Sequence, residues 1–166
     1  MIRRARPDES ETLLRIQREA AVAAFPHVFP PDRYPFPDDA VRADWQNALA
    51  DPELEIYIGE IDGEPAASVA VGHGFLRNLY VLPEHQGTGV GSALHDHALE
   101  RLRALGWDEA KLWTLEGNDG ARRFYERRGW RLNGETREVP FPPHPLDVGY
   151  SRPLESADSD RLMPNC

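Results

Sequence analysis

A chain of 166 residues, 40% of them hydrophobic, has room for one domain with a real core, and its net charge of −9 counts against non-specific nucleic-acid binding through phosphates. Mean hydropathy is −0.58, and no apolar run approaches the roughly 20 residues needed to span a bilayer. The one cysteine, Cys166, permits no intrachain disulfide and favours a reducing, cytoplasmic home, while the basic residues 1–7 lack the apolar stretch of a secretion signal.

Residues 2–6 read as a short strand. Asp8 or Ser10 can cap a helix to about Ala24, with Leu13, Leu14, Ile16, Ala20, Ala21 and Ala24 near helical spacing. Five prolines between Pro26 and Pro37 then force an irregular loop, whose aromatics Phe25, Phe29, Tyr34 and Phe36 pack it down or line a pocket. Asp38 or Asp39 can cap a second helix through Trp45 and Leu49. From Leu54 the period becomes two. Strands at 55–60 and 65–71 flank an Asp62-Gly63 turn, a strong hairpin signal. A third strand of this block covers 75–82, and Pro83 ends it.

A glycine-rich turn opens a helix from about Gly89 to Leu105, with Val90, Leu94, Ala98, Leu102 and Leu105 as its buried stripe. Gly106 stops it. A strand at 111–115, a helix from Asp119 or Gly120 to Arg128, and a strand at 130–139 follow. A proline-rich connector at 141–145 leads to a last strand at 147–152. The predicted order, β-αα-βββ-α-β-α-ββ, is mixed α/β. Residues 1–154 read as a single domain and 155–166 as a polar tail. Residues 1–78 carry eight arginines and 14 acids, a net −6, while 79–153 carry ten basic residues and 11 acids, a net −1. Only Lys111 among the 19 basic residues is a lysine, a bias expected of a GC-rich bacterial genome.

Residues 78–94 carry the chemistry. There a strand runs into alternating glycines, and the glycines start a helix. First-turn amides are unpaired and partly positive, and glycine lets an anion approach the backbone closely, so this is an anion site. Three phosphate-binding schemes compete. The dinucleotide fingerprint G-x-G-x-x-G fails, because Ser92 stands at its last glycine and Lys111 stands where an acid is wanted. A Walker loop needs Gly-Lys-Ser/Thr, which is absent. The scheme Gln/Arg-x-x-Gly-x-Gly/Ala is matched fully by Gln86-Gly87-Thr88-Gly89-Val90-Gly91.

With that strand, Leu79-Tyr80-Val81, and the helix start Ser92-Ala93-Leu94, the segment resembles the acetyl-CoA motif of the GNAT superfamily of N-acetyltransferases. A second match lies downstream, in Asn118-x-x-Ala121-x-x-Phe124-Tyr125-Glu126-x-x-Gly129-Trp130, with Trp130 where phenylalanine is more usual. Together the matches cover residues 78–130. The resemblance implies a mixed, mostly antiparallel sheet of about seven strands, helices on both faces, and a splayed central strand pair. It implies direct acetyl transfer from acetyl-CoA to a primary amine, with no metal and no covalent enzyme intermediate.

On that resemblance, Gln86, Gly87, Thr88, Gly89, Val90, Gly91 and Ser92 would hold the coenzyme's pyrophosphate. Main-chain groups of Leu79 and Val81 would serve its pantetheine arm, and one amide would meet the thioester oxygen. Losing such a donor costs roughly 3–4 kcal/mol. Asn118 would contact pantetheine, or simply cap the next helix. Arg122, within a cluster that includes Arg123, Arg127 and Arg128, would meet the 3′-phosphate, or be one side of a solvated face. Tyr125 fits a general acid, since a phenol near pKa ~10 can protonate a thiolate whose thiol has pKa ~8.5; the bland alternative is a core tyrosine. The strand ending at Val81 carries no acid, so His73 and then Glu60 are the base candidates. His95-Asp96-His97 is metal-like in type only, because helical positions two apart face different ways. The acids between Asp51 and Glu64 are a solvated hairpin or a lure for a cationic acceptor.

The partner expected is a small-molecule or peptide amine, with no nucleic acid and no membrane, and the resemblance allows a homodimer. A non-catalytic acyl-CoA-binding or regulatory module and a nucleotide-binding domain are the alternatives.

Overall fold

The computed structural model describes residues 1–155, so Cys166 and all of the expected tail but Glu155 lie outside the described residues. Strand β1 is Ile2–Arg4, helix α1 is Ser10–Ala24 and helix α2 is Asp38–Ala50. Neither Asp8 nor Ser10 caps α1. Glu9 stands at the cap position instead, and its carboxylate accepts from the Arg6 amide at 2.8 Å and from both Arg3 terminal nitrogens at 2.7 and 2.8 Å. A charge-assisted fork between β1 and α1 outweighs local capping preference here. Likewise Pro37, not an aspartate, precedes α2. Asp38 and Asp39 fall in the first turn, where the helix dipole favours acids, and bond Arg18 and Arg42.

Strands β2 (Glu55–Ile61), β3 (Glu64–Gly72) and β4 (Phe75–Val81) form two successive hairpins. Asp62-Gly63 and His73-Gly74 both have positive φ, the backbone a two-residue turn of matching twist requires. A short 3₁₀ turn at Pro83–His85 leads to helix α3 (Val90–Ala104), followed by strand β5 (Glu109–Leu115), helix α4 (Asp119–Glu126), strand β6 (Arg131–Glu138) and strand β7 (Leu146–Pro153).

The seven strands make one sheet in the order β1-β2-β3-β4-β5-β7-β6. Every neighbouring pair is antiparallel except β4 and β5. Two cores lie on its two faces. Leu94, Ala98, Leu99 and Leu102 of α3 and Tyr125 of α4 pack with Val69, Leu112 and Tyr150 on one side. Leu13 and Leu14 of α1 and Val41 and Trp45 of α2 pack with Ile56, Ile58 and Ala70 on the other. This is the GNAT fold expected from the motifs.

Candidate active site

The parallel pair β4–β5 meets only at Phe75 and Lys111, reinforced by the Lys111 amide donating to the Gly74 carbonyl at 3.0 Å. β5 is held along its whole length by β7, from Glu109 with Pro153 to Leu115 with Asp147. β4 is held by β3. The two strands therefore splay beyond their first residues and leave a gap at their carboxyl ends. The Leu82 amide donates to Ala66. By strand alternation the N–H and C=O groups of Val81 and Leu79 then face the gap rather than β3.

At the gap's end the chain turns through Gly87 (φ 79°) and Gly89 (φ 88°), left-handed positions that disfavour any side chain. Gly89 is the residue before α3, and no side chain caps the helix. The first-turn amides of Val90, Gly91 and Ser92 have no intrahelical acceptor. A Cβ on Gly91 would lie 3.1 Å from Val81 Cγ2, so this glycine lets helix and strand close up. Thr88 Oγ1 donates to the His85 carbonyl at 2.6 Å and shapes the turn. The side chain that reaches this cradle is Arg128. Its Nη2 donates to Ser92 Oγ at 2.5 Å, its Nη1 donates to the Phe124 carbonyl at 3.0 Å, and the guanidinium lies 3.6 Å from the Phe124 ring centre. A glycine turn, free amides and an arginine fit a pyrophosphate.

Tyr125 is buried against Phe124 (5.3 Å between ring centres) and Trp130 (5.9 Å). The Tyr57 and Tyr150 hydroxyls donate to Glu55 and Glu126 at 2.7 Å each. Among the described residues the Tyr125 hydroxyl has no such tie. Burial, with a smaller contribution from Tyr80, raises its pKa above the ordinary phenol value. Trp130 Nε1 donates to His95 Nε2 at 2.9 Å, so the His95 proton is on Nδ1, 3.0 Å from Asp96 Oδ1. Burial lowers the His95 pKa. His97 instead sets its ring edge against Tyr57 at 4.3 Å. The two histidines thus have separate neighbours, and among the described residues no three His, Cys, Asp or Glu side chains gather to hold a metal.

On the other face of the gap stands Tyr80, packed at the margin of the α1–α2 core. Burial, then the Asp147 charge, pushes its pKa up to about 12. Asp147 is buried and bonded by Arg137, which also stacks on Trp113. The loop after α1 crosses to this end of the sheet, where His27 Nε2 donates to the Gly117 carbonyl at 3.1 Å. The Tyr80 charge bears on Tyr125, and the two side chains, one partly buried and one buried, belong to the cores on opposite faces of the sheet.

Several expected positions fall elsewhere. His73 is exposed in the β3–β4 turn (φ 55°), 3.4 Å from Glu53, at the closed end of the pair. Seven residues of β4, about 20 Å of strand, separate it from the open end. Glu60 lies two strands away on β2 and bonds Arg3 at 3.1 Å. Neither faces the gap as a base must. Arg122 bonds the Tyr150 hydroxyl and the Glu116 carbonyl, each at 3.0 Å, while Arg128 is the arginine of the cluster that reaches Ser92. Asn118 caps α4, accepting from the Ala121 amide at 3.2 Å, with its amide hydrogens uncommitted by that bond. Trp113, Arg137 and Asp147 escape a reading by motif, and Tyr80 is read there only as part of a strand. The period of two in Asp147-Val148-Gly149-Tyr150 is the available signal, since it sets Asp147 on the face opposite Val148.

Comparison with known proteins agrees with this fold. The sequence profile of the acetyltransferase (GNAT) family matches residues 16–130, more than half of the chain. The chain belongs to the GNAT family. This GNAT protein is 27% identical to a peptidyl-lysine N-acetyltransferase of Salmonella typhimurium over 81% of this chain and 86% of the relative. It is 29% identical to a thialysine N-epsilon-acetyltransferase of Sus scrofa over 81% and 93%. The PaiA N-acetyltransferase of Thermoplasma acidophilum, solved in complex with coenzyme A, shares the fold with a TM-score of 0.76 at 16% identity, covering 92% of this chain and 98% of that one. No helix among the described residues of the GNAT protein is long and apolar enough to cross a membrane.

Proposed function

We propose that this GNAT protein moves an acetyl group from acetyl-CoA to a primary amine by direct attack, with Tyr125 as general acid. The observation that carries this reading is the joining of three features at one end of the sheet: the splayed β4–β5 gap, the glycine cradle at its mouth, and the untied Tyr125 hydroxyl beside it. The amides from Gly87 to Ser92, with Arg128, hold the pyrophosphate. Leu79 and Val81 present main-chain groups to the pantetheine arm, as a strand edge accepts an added strand. Bound there, the coenzyme supplies an activated thioester.

The acceptor ammonium first sheds a proton to solvent on the Tyr80 side. Its nitrogen then bonds to the thioester carbon, the carbon–sulfur bond breaks, the leaving sulfur takes the Tyr125 proton, and the proton shed by the new amide nitrogen passes through solvent to restore the Tyr125 phenol. Burial keeps the phenol protonated at neutral pH, so its proton is present when the sulfur leaves. A main-chain N–H of the β4 edge opposes the charge that grows on the carbonyl oxygen. Two relatives are named for lysine-like acceptors, which supports a primary amine.

The test is thiol release from acetyl-CoA with a panel of primary amines, for native and Tyr125→Phe protein, beside coenzyme affinity by calorimetry. Amine-dependent release that falls steeply in Tyr125→Phe, with affinity kept, supports the reading. Tight coenzyme binding without amine-dependent release establishes a binding module instead.

A further inference from the structure

Arg137 belongs to β6, a strand exposed along its whole length, and its half-exposed guanidinium turns back onto the sheet. Nε donates to Asp147 Oδ2 at 3.0 Å, and the guanidinium carbon stands 4.6 Å from the Trp113 ring centre. These three side chains come from three strands and share one face. Leu115 pairs with Asp147, Asp147 pairs with Arg137, and Trp113 is two residues before Leu115 on β5. The face is the one that bears Tyr80, on the α1–α2 side, away from the core that holds Val148 and Tyr150. It is also at the open end of the splayed pair.

The partners differ in how firmly they belong to the sheet. The Asp147 side chain is 12% exposed, whereas that of Arg137 is 55% exposed. A buried carboxylate beside an indole face is an arrangement that suits a cation, and an exposed arginine of the chain itself fills it. An exposed arginine leaves such a partner at little cost, because water receives its charge again. Lys111 shares the face two residues behind Trp113, toward the closed end, so cation binding is confined to the end nearer the gap. The Asp147 charge also reaches the Tyr80 hydroxyl at the gap.

We propose that Trp113 and Asp147 form the subsite for the ammonium group of the acceptor, and that Arg137 occupies it in the free protein and yields when the acceptor enters. The ligand class is a primary alkylammonium. The inference rests on the acetyl-transfer reading for the meaning of "acceptor", and the experiment separates the two.

The full-length protein, labelled with nitrogen-15, is titrated with n-butylammonium, and with n-butanol and butyrate as neutral and anionic counterparts. The readout is the Trp113 indole N–H resonance, identified by its loss in Trp113→Phe. Expected are a saturable shift with n-butylammonium alone, about fivefold tighter binding in Arg137→Gln, the size of one surrendered half-exposed ion pair, and no shift in Asp147→Asn. A response to butyrate that Arg137→Gln abolishes overturns the proposal, because Arg137 then reads an anion. So does an undiminished shift in Asp147→Asn, or weaker amine binding in Arg137→Gln. Thiol release is measured on the same samples. A shift without release upholds the cation subsite and overturns acetyl transfer. Release without a shift overturns the subsite and leaves acetyl transfer standing.

Discussion

Tyr125 and Arg128 are three residues apart, and in the proposed mechanism they divide the coenzyme between them. The tyrosine is buried with an untied hydroxyl, while the arginine lies over the Phe124 ring and touches Ser92 at the first turn of α3. Tyr125→Phe keeps the packing and removes only the proton. The expected loss in kcat is about 100-fold or more, read as thiol release at saturating acetyl-CoA. Arg128→Ala removes a charged contact to phosphate, and the KM for acetyl-CoA is expected to rise about tenfold. The salt dependence of that KM should flatten in parallel. Trp130 shows how a departure from a family pattern is absorbed. Phenylalanine has no N–H, whereas the Trp130 indole needs an acceptor and finds His95 Nε2 at 2.9 Å in the buried core. Trp130→Phe leaves that nitrogen without its donor, and urea unfolding should report a loss of about 1–3 kcal/mol. Both motif residues are legible in the sequence, but which arginine reaches the cradle is not. Arg122 is drawn to Tyr150 and Glu116, whereas Arg128, past the last residue of α4, folds back toward α3.

In the proposed mechanism α3 serves as an anion site because of how it begins. Gly89 adopts φ 88° immediately before Val90, and no side chain competes for the first-turn amides. Gly89→Ala forces a Cβ into the left-handed region, although nothing stands within 4 Å of it. The penalty is therefore backbone strain alone, roughly 1–2 kcal/mol. It should appear as a lower melting temperature together with weaker coenzyme binding by calorimetry. A drop in stability with unchanged affinity would mean that the turn does not hold the coenzyme. Element order was legible from periods and punctuation, since glycine and proline act on their own neighbours. Helix starts were less so. Glu9 displaced Asp8 and Ser10 because the Arg3 fork comes from another element, which local capping preference cannot foresee.

Across the whole molecule two buried carboxylates lock elements that are distant in the chain. Arg3 holds Glu9 and joins β1 to α1, and Arg101 holds Glu55 at 2.7 and 3.0 Å and joins α3 to β2. Those bonds hold the pKa of each glutamate at about 2, against 4.5 for the free group. Both contributions are present above pH 4.5 and are lost as pH falls toward 2. His95, lowered by burial from 6.5, adds stability that is present above that pH and declines below it. The melting temperature should therefore begin to fall gently below pH 6.5 and steeply below 4.5. Glu9→Gln should melt lower at neutral pH and show a shallower acid limb, and an acid limb identical to the native one would exclude Glu9 as its source.

The amino-acid order alone determined whatever acts over a few residues. It set the strand and helix sequence, the glycine turn before α3, the Asn118 cap and the pairing of two motifs that mark the family. Periodicity, turn chemistry and capping are local, so they survive being read in one dimension. Only the tertiary structure decided which residues share the face proposed for the acceptor. Strand order departs from chain order at β5-β7-β6, and that departure brings Trp113, Arg137 and Asp147 to one face beside Tyr80. His73 at the closed end and Glu60 two strands away are placed instead by the β2-β3-β4 run, where strand order follows chain order. No periodicity encodes such neighbours, because they are set by which sheet edge each returning strand finds buried apolar surface to cover.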